Sequence, residues 1–325
     1  ERFKHRRRQI DKTRVGGGKG RLPPAPDGLY GVLSDLGASP RFVIPRREGE
    51  GYGLSHAVLD RAIADGKPDL VVTLDCGTNS NEEIAFLTEK GVDVVIVDHH
   101  QLKGDLSPEA TFVNPHLRED HGEPWRHLSA VGLAFKVAHG LLKRLRKRGD
   151  VRAAEFPIKE QLDLVALGTV ADLVPLRGEN RIFAHSGLQQ LSDSARPGIH
   201  ELREVSGLRP GADLTTTDIA FKLAPRINAG GRLAEATLPV NLLTSGNLTE
   251  SRELARQLDQ FTIPATRNDP HQLVQPIDQR LDGLAKAHRR PQVLPPVVSA
   301  EGAVSASSSV ACTVREVFSA ALSSN

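Results

Sequence analysis

The sequence contains no methionine and only two cysteines, Cys76 and Cys312. Two cysteines cannot build a disulfide framework or a cysteine-based zinc site, and their scarcity favours a reducing, cytoplasmic compartment. No apolar run reaches the roughly 18 residues that a membrane-spanning helix needs, and the first residues lack the pattern of a signal peptide, so we expect no membrane partner. Because methionine is absent even at position 1, we expect a fragment of a longer chain.

An excess of charge of one sign is also absent. The 42 Lys and Arg residues nearly balance the 40 Asp and Glu residues, which gives a net charge of +2, so the overall charge does not require an acidic partner. Basic side chains are nevertheless concentrated at residues 5–8 and 143–148. Such a run is usually a solvated face, and a surface that contacts phosphate is the open alternative.

Changes in composition divide the 325 residues into four segments. Residues 1–28 are basic and rich in Gly and Pro, and we predict that they are irregular. Residues 29–195 have the alternating strand and helix patterns of an α/β domain, with a parallel sheet flanked by helices. Residues 196–261 predict a helical connecting segment. Residues 262–325 lose the periodicity, and we predict a truncated, poorly ordered remnant of a second domain.

Residues 69–97 have the pattern of a β–α–β unit. Apolar runs at 69–74 and 92–97 predict two strands that are buried on both faces. A helix predicted over residues 81–90 connects them, which requires a parallel, right-handed crossover. The sequence RFVIP at residues 41–45 predicts another short strand. Further helices are predicted over residues 29–36, 54–64, 128–145, 159–170, 180–191, 198–205, 235–244 and 248–260.

Acidic and imidazole side chains directly follow both strands of this unit. Asp75 follows the first strand, and Asp98-His99-His100 follows the second. Because the carboxyl ends of parallel strands meet at one edge of a sheet, we expect these side chains to form a ligand set for Mn²⁺ or Mg²⁺. A lone Asp at a strand end is as readily a helix cap, but the triplet is harder to explain without a metal.

Asp172 lies within the apolar segment at residues 166–176. Burial of a carboxylate is costly unless the group is paired or bound to a metal, so Asp172 is another candidate ligand. A buried, hydrogen-bonded Asp or a helix cap is the alternative at this position.

These residues lie in segments that resemble the DHH phosphoesterase superfamily, and in particular its RecJ-type exonucleases. The shorter matching segments are residues 51–54 (GYGL), 74–78 (LDCGT) and 97–100 (VDHH). The longer ones, residues 166–181 (ALGTVADLVPLRGENR) and 224–233 (APRINAGGRL), are particular to RecJ-like members. The resemblance covers about residues 30–260. It implies a DHH domain followed by a helical segment and a second domain.

The resemblance also implies an activity and a set of functional residues. The activity is the 5′-to-3′ degradation of single-stranded DNA with Mn²⁺ or Mg²⁺ in a two-ion site. The implied metal ligands are Asp75, His99 and Asp172. His100 is implied to contact the phosphate, with Asp98 as the carboxylate that orients the histidines. The implied substrate-binding residues are Arg226, Asn228 and Arg232; ordinary surface or capping arginines are the alternative for the two arginines.

One motif of the family is missing from this sequence. The family has a strand and an Asp-x-Asp loop before the helix that begins near Leu29, whereas residues 14–26 contain no carboxylate and Asp27 lies too close to the helix. We therefore expect an incomplete metal site, and activity of this chain stays open. Residues 303–313 also lack a Trp-His-x-Gly motif. We hypothesise that the reading frame shifts near residues 3–28, 262–285 and 303–313, or that the gene has decayed. The nucleotide sequence, read in all three frames, would test this hypothesis.

Two other functions remain open. A phosphodiesterase for short oligonucleotides or cyclic dinucleotides would use the same chemistry, but such relatives usually lack segments like 166–181 and 224–233. A non-catalytic DHH scaffold in DNA repair or replication would explain the missing motif. A scaffold would not need to keep Asp75, His99, His100 and Asp172 together.

Overall fold

A three-stranded parallel sheet organises the first part of the chain. The structure is a computed structural model that describes residues 28–51, 53–64, 66–117, 124–209, 211–230 and 237–268. The described strands, in the order β1-β2-β3, are β1 (Leu70–Leu74), β2 (Asp93–Val97) and β3 (Thr111–Val113). Leu74 pairs with Val97, and Val97 pairs with Val113. Since the three strands end level with one another, their carboxyl ends form one edge.

Helices make up most of the remaining described residues. The first four are α1 (Gly28–Asp35), α2 (Arg47–Glu50), α3 (His56–Ala64) and α4 (Asn81–Glu89). After the sheet follow α5 (Ala130–Lys147), α6 (Val151–Glu155), α7 (Leu162–Ala171), α8 (Gly178–Ser192) and α9 (Pro197–Val205). The last four are α10 (Thr216–Asp218), α11 (Ala224–Gly230), α12 (Leu238–Thr244) and α13 (Leu248–Asn268). Turns of 3₁₀ helix cover Pro115–Leu117, Pro124–His127 and Ile158–Gln161, and a π-helical turn covers Ile219–Leu223.

The predicted β–α–β unit is confirmed, with α4 as the crossover between parallel strands β1 and β2. Residues 94–97 of β2 are all at most 3% exposed, as expected for a central strand with both faces covered. The prediction of full burial is wrong for β1. This strand lies at the edge of the described sheet, where Leu74 is 47% exposed.

The strand predicted at residues 41–45 is also wrong. No strand pairs with this segment among the residues that the structure describes, and Phe42 is 45% exposed. A side chain from α3 contacts the backbone there instead, since the Arg61 guanidinium donates to the carbonyl of Ile44 at 2.8 Å. The apolar composition of RFVIP predicts a strand correctly only where a neighbouring strand completes the ladder.

Alternating side chains of β2 cover two different apolar clusters. Val95 and Val97 pack in a cluster with α1 and α5, to which Val137 and Leu141 contribute. Val94 and Ile96 pack on the other face with α3 and α4. The apolar spacing of α5 predicts this packing, and Ser129 caps the helix by accepting from the amide of Gly132. The sheet is therefore covered on both faces, as the α/β prediction requires.

A third apolar cluster joins α7, α8 and the helices that follow them. It includes Leu167 and Val170 of α7, Leu191 of α8 and Leu202 of α9. The helical character predicted for residues 196–261 is confirmed for those that the structure describes, although α13 continues to Asn268, beyond its predicted end at residue 260. The division at residue 195 stays a prediction. None of the helices in the described ranges is long and apolar enough to cross a membrane.

A buried ion pair connects the cluster around the sheet with the helical cluster. The Arg196 guanidinium, before α9, donates to the Asp163 carboxylate of α7 at 2.7 Å and to the side chain of Gln161 at 3.2 Å. The Gln161 oxygen also accepts from the amide of Gly28 at the start of α1. Burial raises the pKa of Asp163 to about 6 and lowers the pKa of Arg196 to about 10, so both groups stay charged at neutral pH.

Candidate metal centre

Asp75 and His99 lie side by side at the carboxyl edge of the sheet. The amide of Asp75 donates to the carbonyl of Val97, which extends the β1–β2 ladder by one residue. Asp75 then turns away from the strand with a φ of 64°, a left-handed conformation that Asp adopts more readily than most residues. Its Oδ1 atom lies 3.1 Å from His99 Nε2. The Asp75 side chain is 57% exposed, so this position is open to a ligand from solvent.

Asp172 reaches the same edge from the end of α7. Its Oδ2 atom lies 3.7 Å from His99 Nε2. The amide of Asp172 donates to the carbonyl of Gly168, and Leu173 ends the helix with a φ of 56°. A bulky residue in this left-handed region is strained, and the strain lies directly beside a predicted ligand. The structure thus brings together Asp75, His99 and Asp172, which are 97 residues apart at most.

Asp98 is the buried carboxylate of the site, with 1% of its surface exposed. One oxygen accepts from the amide and the hydroxyl of Thr78, at 3.1 and 2.6 Å. The other accepts from the amides of His99 and His100 and lies 2.7 Å from His100 Nδ1. Asp98 therefore holds the ring of His100 but only the backbone of His99.

Burial opposes the charged form of Asp98, but these hydrogen bonds outweigh it and keep the pKa of the carboxyl below its usual value. An ionised Asp98 fixes a proton on His100 Nδ1 and leaves Nε2 for another partner. At His99 the hydrogen bond to Asp75 raises the pKa, burial lowers it, and the charge of Asp172 raises it further. The net shift is upward, as expected for an imidazole between two carboxylates.

Thr78 and Asn114 are functional candidates that the sequence analysis missed. Asn114 follows β3, and its amide donates to Thr78 Oγ1 at 2.9 Å and to the His100 carbonyl at 2.8 Å. All three strands therefore contribute a polar residue to the same edge. Asn114 was missed because β3 has only three residues; the signal that could have found it is its place after the short run Thr111–Val113.

The arrangement fits a divalent cation. Ligand atoms at about 2.1 Å from one octahedral ion lie about 3 Å apart. His99 Nε2 lies 3.1 Å from Asp75 Oδ1, which matches this spacing, and 3.7 Å from Asp172 Oδ2, which is somewhat longer. Single donor atoms of Asp75, His99 and His100 also lie within 4.8 Å of one another. Carboxylate and imidazole donors suit Mn²⁺, and the carboxylates also suit Mg²⁺. The family's Asp-x-Asp motif would precede α1. Residues 1–27, which include Asp27, lie outside the described residues.

The predicted substrate-binding residues have different surroundings. The Arg226 guanidinium donates to Asp259 at 2.8 Å and to the carbonyls of Lys222 and Val205, so it ties α11 to α9 and α13. Asn228 is exposed and lines a small cleft with Leu173, beside Asp172. Arg232 lies outside the described residues. The substrate roles of all three stay predictions, and the proximity of Asn228 to Leu173 favours its role most.

The chain is similar to known proteins over most of its described length. Residues 27–169 match the model of the DHH family, N-terminal domain. The single-stranded-DNA-specific exonuclease RecJ of Salmonella typhimurium is 42% identical over 239 residues, 72% of this chain and 40% of that protein. The protein of the same name from Bacillus subtilis is 36% identical over 276 residues, 82% of this chain and 33% of that protein.

A solved structure, a crystal structure of exonuclease RecJ bound to manganese, is 32% identical with a TM-score of 0.62. It matches over 74% of this chain and 59% of that chain. These similarities confirm the resemblance inferred from the motifs and the predicted fold class. The chain spans 40% or less of the length of the two curated relatives.

Proposed function

Residues 27–169 belong to the DHH family, and from this premise we propose that the chain is the nuclease part of a RecJ-type exonuclease. The proposed reaction is the 5′-to-3′ hydrolysis of phosphodiester bonds in single-stranded DNA. The observation that supports it most is the convergence of Asp75, His99 and Asp172 at the carboxyl edge of the sheet. Similarity to RecJ proteins over 72% and 82% of the chain favours this substrate over cyclic dinucleotides.

Asp75, His99 and Asp172 would hold Mn²⁺ or Mg²⁺, which would supply Lewis acidity and an activated water for cleavage. His99 is only 18% exposed, so its ring is fixed in place between the two carboxylates before a substrate arrives. Preorganisation of this kind reduces the entropic cost of ordering the site when single-stranded DNA binds.

His100 would contact the phosphate, with Asp98 as its positioning residue. The His100 side chain is 59% exposed, whereas Asp98 is 1% exposed. His100 Nδ1 faces Asp98, which leaves Nε2 as the ring atom that would face a phosphate oxygen. Asp98 holds the orientation of this ring, and Thr78 in turn fixes Asp98 by donating two hydrogen bonds to it.

We further propose a cytoplasmic location. Asp75, His99 and Asp172 would serve one ion, so the activity of this chain would depend on whether a second ion is needed. A chain that binds single-stranded DNA without cleaving it would act as a non-catalytic scaffold in repair or replication.

The test is a Mn²⁺-dependent assay on a 5′-phosphorylated single-stranded oligonucleotide, with release of mononucleotides as the measured rate. We expect His99→Ala to lower the rate by about 100-fold or more, because a ligand between two carboxylates is lost. His185→Ala is the matched control, since His185 is an exposed histidine on α8. An equal rate in wild type and His99→Ala would reject the proposed site. Strand binding without cleavage by the wild type would support the scaffold.

A further inference from the structure

Two 3₁₀ turns beside the metal centre gather three basic side chains. The turns Pro115–Leu117 and Pro124–His127 contact each other. They carry His116, Arg126 and His127, which we call the basic turn cluster. His116 and Arg126 are half-buried and His127 is exposed, so the cluster reaches from the protein surface towards the sheet edge.

The basic turn cluster borders His99. Burial is the largest cause of a lowered pKa at His116, and Arg126, His99 and His127 lie close enough to lower it further, whereas Asp98 acts in the opposite direction. A neutral His116 still donates one ring N–H, and the Arg126 guanidinium is always charged, so both can contact an anion.

Buried asparagines tie both turns to the loops that carry the candidate ligands. The Asn114 side chain accepts from the amide of His116 at 2.8 Å and donates to the carbonyl of His100. Asn180, which is 1% exposed, donates to the carbonyl of His127 at 2.6 Å and to that of Pro175 at 3.1 Å. Pro175 lies three residues after Asp172. These hydrogen bonds therefore fix the position of both turns relative to the loops of the metal centre.

We propose that the basic turn cluster is an anion subsite for a phosphodiester next to the scissile one in a single strand. The inference rests on the proposed function, because it places the substrate strand across the sheet edge. Arg126 supplies a planar fork of donors that matches two phosphate oxygens, and the two imidazoles add single donors. None of the three side chains is among the candidate metal ligands, so strand binding and metal binding are separable.

The test compares strand binding and metal binding in the full chain. Arg126→Ala, Arg126→Lys and His116→Gln are the variants. Lys147→Ala is the matched control, because it removes one exposed positive charge at the far end of α5, about 25 Å along the helix from Ala130. The probes are a short 5′-phosphorylated oligothymidylate in EDTA, inorganic pyrophosphate, and Mn²⁺ alone. Fluorescence anisotropy measures strand binding across a range of salt concentrations.

We expect Arg126→Ala to weaken strand binding about tenfold and to reduce the slope of log affinity against log salt by about 0.7, the value for one phosphate contact in a single strand. Arg126→Lys should retain part of the affinity, His116→Gln should weaken it less, and Lys147→Ala should match the wild type. Affinity for Mn²⁺ should remain within about twofold of wild type in all four variants, because Asp75, His99 and Asp172, the candidate metal ligands, are unchanged.

Three outcomes separate a failure of the proposed subsite from a failure of the proposed function. If Arg126→Ala and His116→Gln bind the strand with wild-type affinity and slope, the subsite is rejected and the proposed function stands. If the wild type binds pyrophosphate through these residues but neither binds nor cleaves the oligonucleotide when Mn²⁺ is present, the subsite is supported for a free phosphate and the proposed function fails. If Mn²⁺ affinity falls together with strand affinity in Arg126→Ala, Arg126 acts by supporting the metal centre, and the subsite is rejected.

Discussion

His139 is a half-buried histidine on α5 that lies among positive side chains. Burial lowers its pKa, and the charges of Lys136, Arg146 and Lys143 lower it further, against a smaller opposing effect of Glu179. Its ring also lies 6.3 Å from that of Phe135. The folded protein therefore favours the neutral form of this imidazole more than the unfolded chain does.

This difference predicts a loss of stability on mild acidification. Below the unfolded pKa of about 6.5, the unfolded chain binds a proton that folded His139 resists, so the free energy of unfolding falls as the pH decreases towards the lower folded pKa. We expect His139→Gln to lose stability less steeply than wild type between about pH 7.5 and 5.5 in urea titrations. His185→Gln, at an exposed position, should retain the wild-type slope. Parallel curves for His139→Gln and wild type would contradict the prediction.

Single residues of the site were predictable where a strand pattern placed them. Asp75 and the Asp98-His99-His100 triplet follow apolar runs, so the sequence alone predicts that they share one edge of the sheet. Thr78, Asn114 and Asn180 were not predicted as parts of the site, because a polar residue in a loop has no periodicity that indicates its partner. Three of their hydrogen bonds join residues that lie 20, 36 and 53 positions apart in the sequence.

At the scale of helices, α7 and α8 pack closely at Gly187. A Cβ atom there would lie 2.5 Å from Cβ of Ala166 and would also meet the carbonyl of Leu162. Gly140 on α5 offers a contrast, since a Cβ atom at that position would meet nothing within 4 Å.

We expect Gly187→Ala to lower the free energy of unfolding by about 1–3 kcal/mol, because the two helices must separate to admit the methyl group. Gly140→Ala should raise it by about 0.5–1 kcal/mol through the better helix propensity of alanine. Both values would be measured by urea denaturation. An equal effect of the two substitutions would show that propensity, rather than helix contact, governs position 187.

The elements that sequence patterns missed are those whose stability depends on a neighbour. The three residues of β3 are too few to show a period, and they form a strand because β2 provides a ladder. The reverse holds for residues 41–45, which have strand-like composition but no partner strand in the described part of the chain. By contrast, α5 has 18 residues with a continuous apolar stripe, and its existence was predictable from spacing alone.

For the whole molecule, the Asp163–Arg196 pair connects the cluster around the sheet with the helical cluster. Arg196→Met would leave a buried carboxylate without its charged partner, and we expect a loss of about 3–5 kcal/mol in the free energy of unfolding. The double variant Asp163→Asn, Arg196→Met should recover part of this loss, because the remaining group is neutral. Urea denaturation of the four proteins gives the coupling energy. Additive effects of the two substitutions would show that the pair does not act as a unit.

Two of the described residues other than glycine have a positive φ, Asp75 at 64° and Leu173 at 56°, and both lie at the candidate metal centre. Glycine would relieve the backbone strain at either position, by about 1 kcal/mol or more, against an entropic cost of about 0.5–1 kcal/mol for glycine in the unfolded chain. Selection for thermal stability alone would favour glycine where the relief is larger, and it would then remove a carboxylate at position 75 or loosen Asp172 at position 173. Directed evolution of this chain needs a metal-binding screen beside the heat screen, because the two pressures diverge at these two positions.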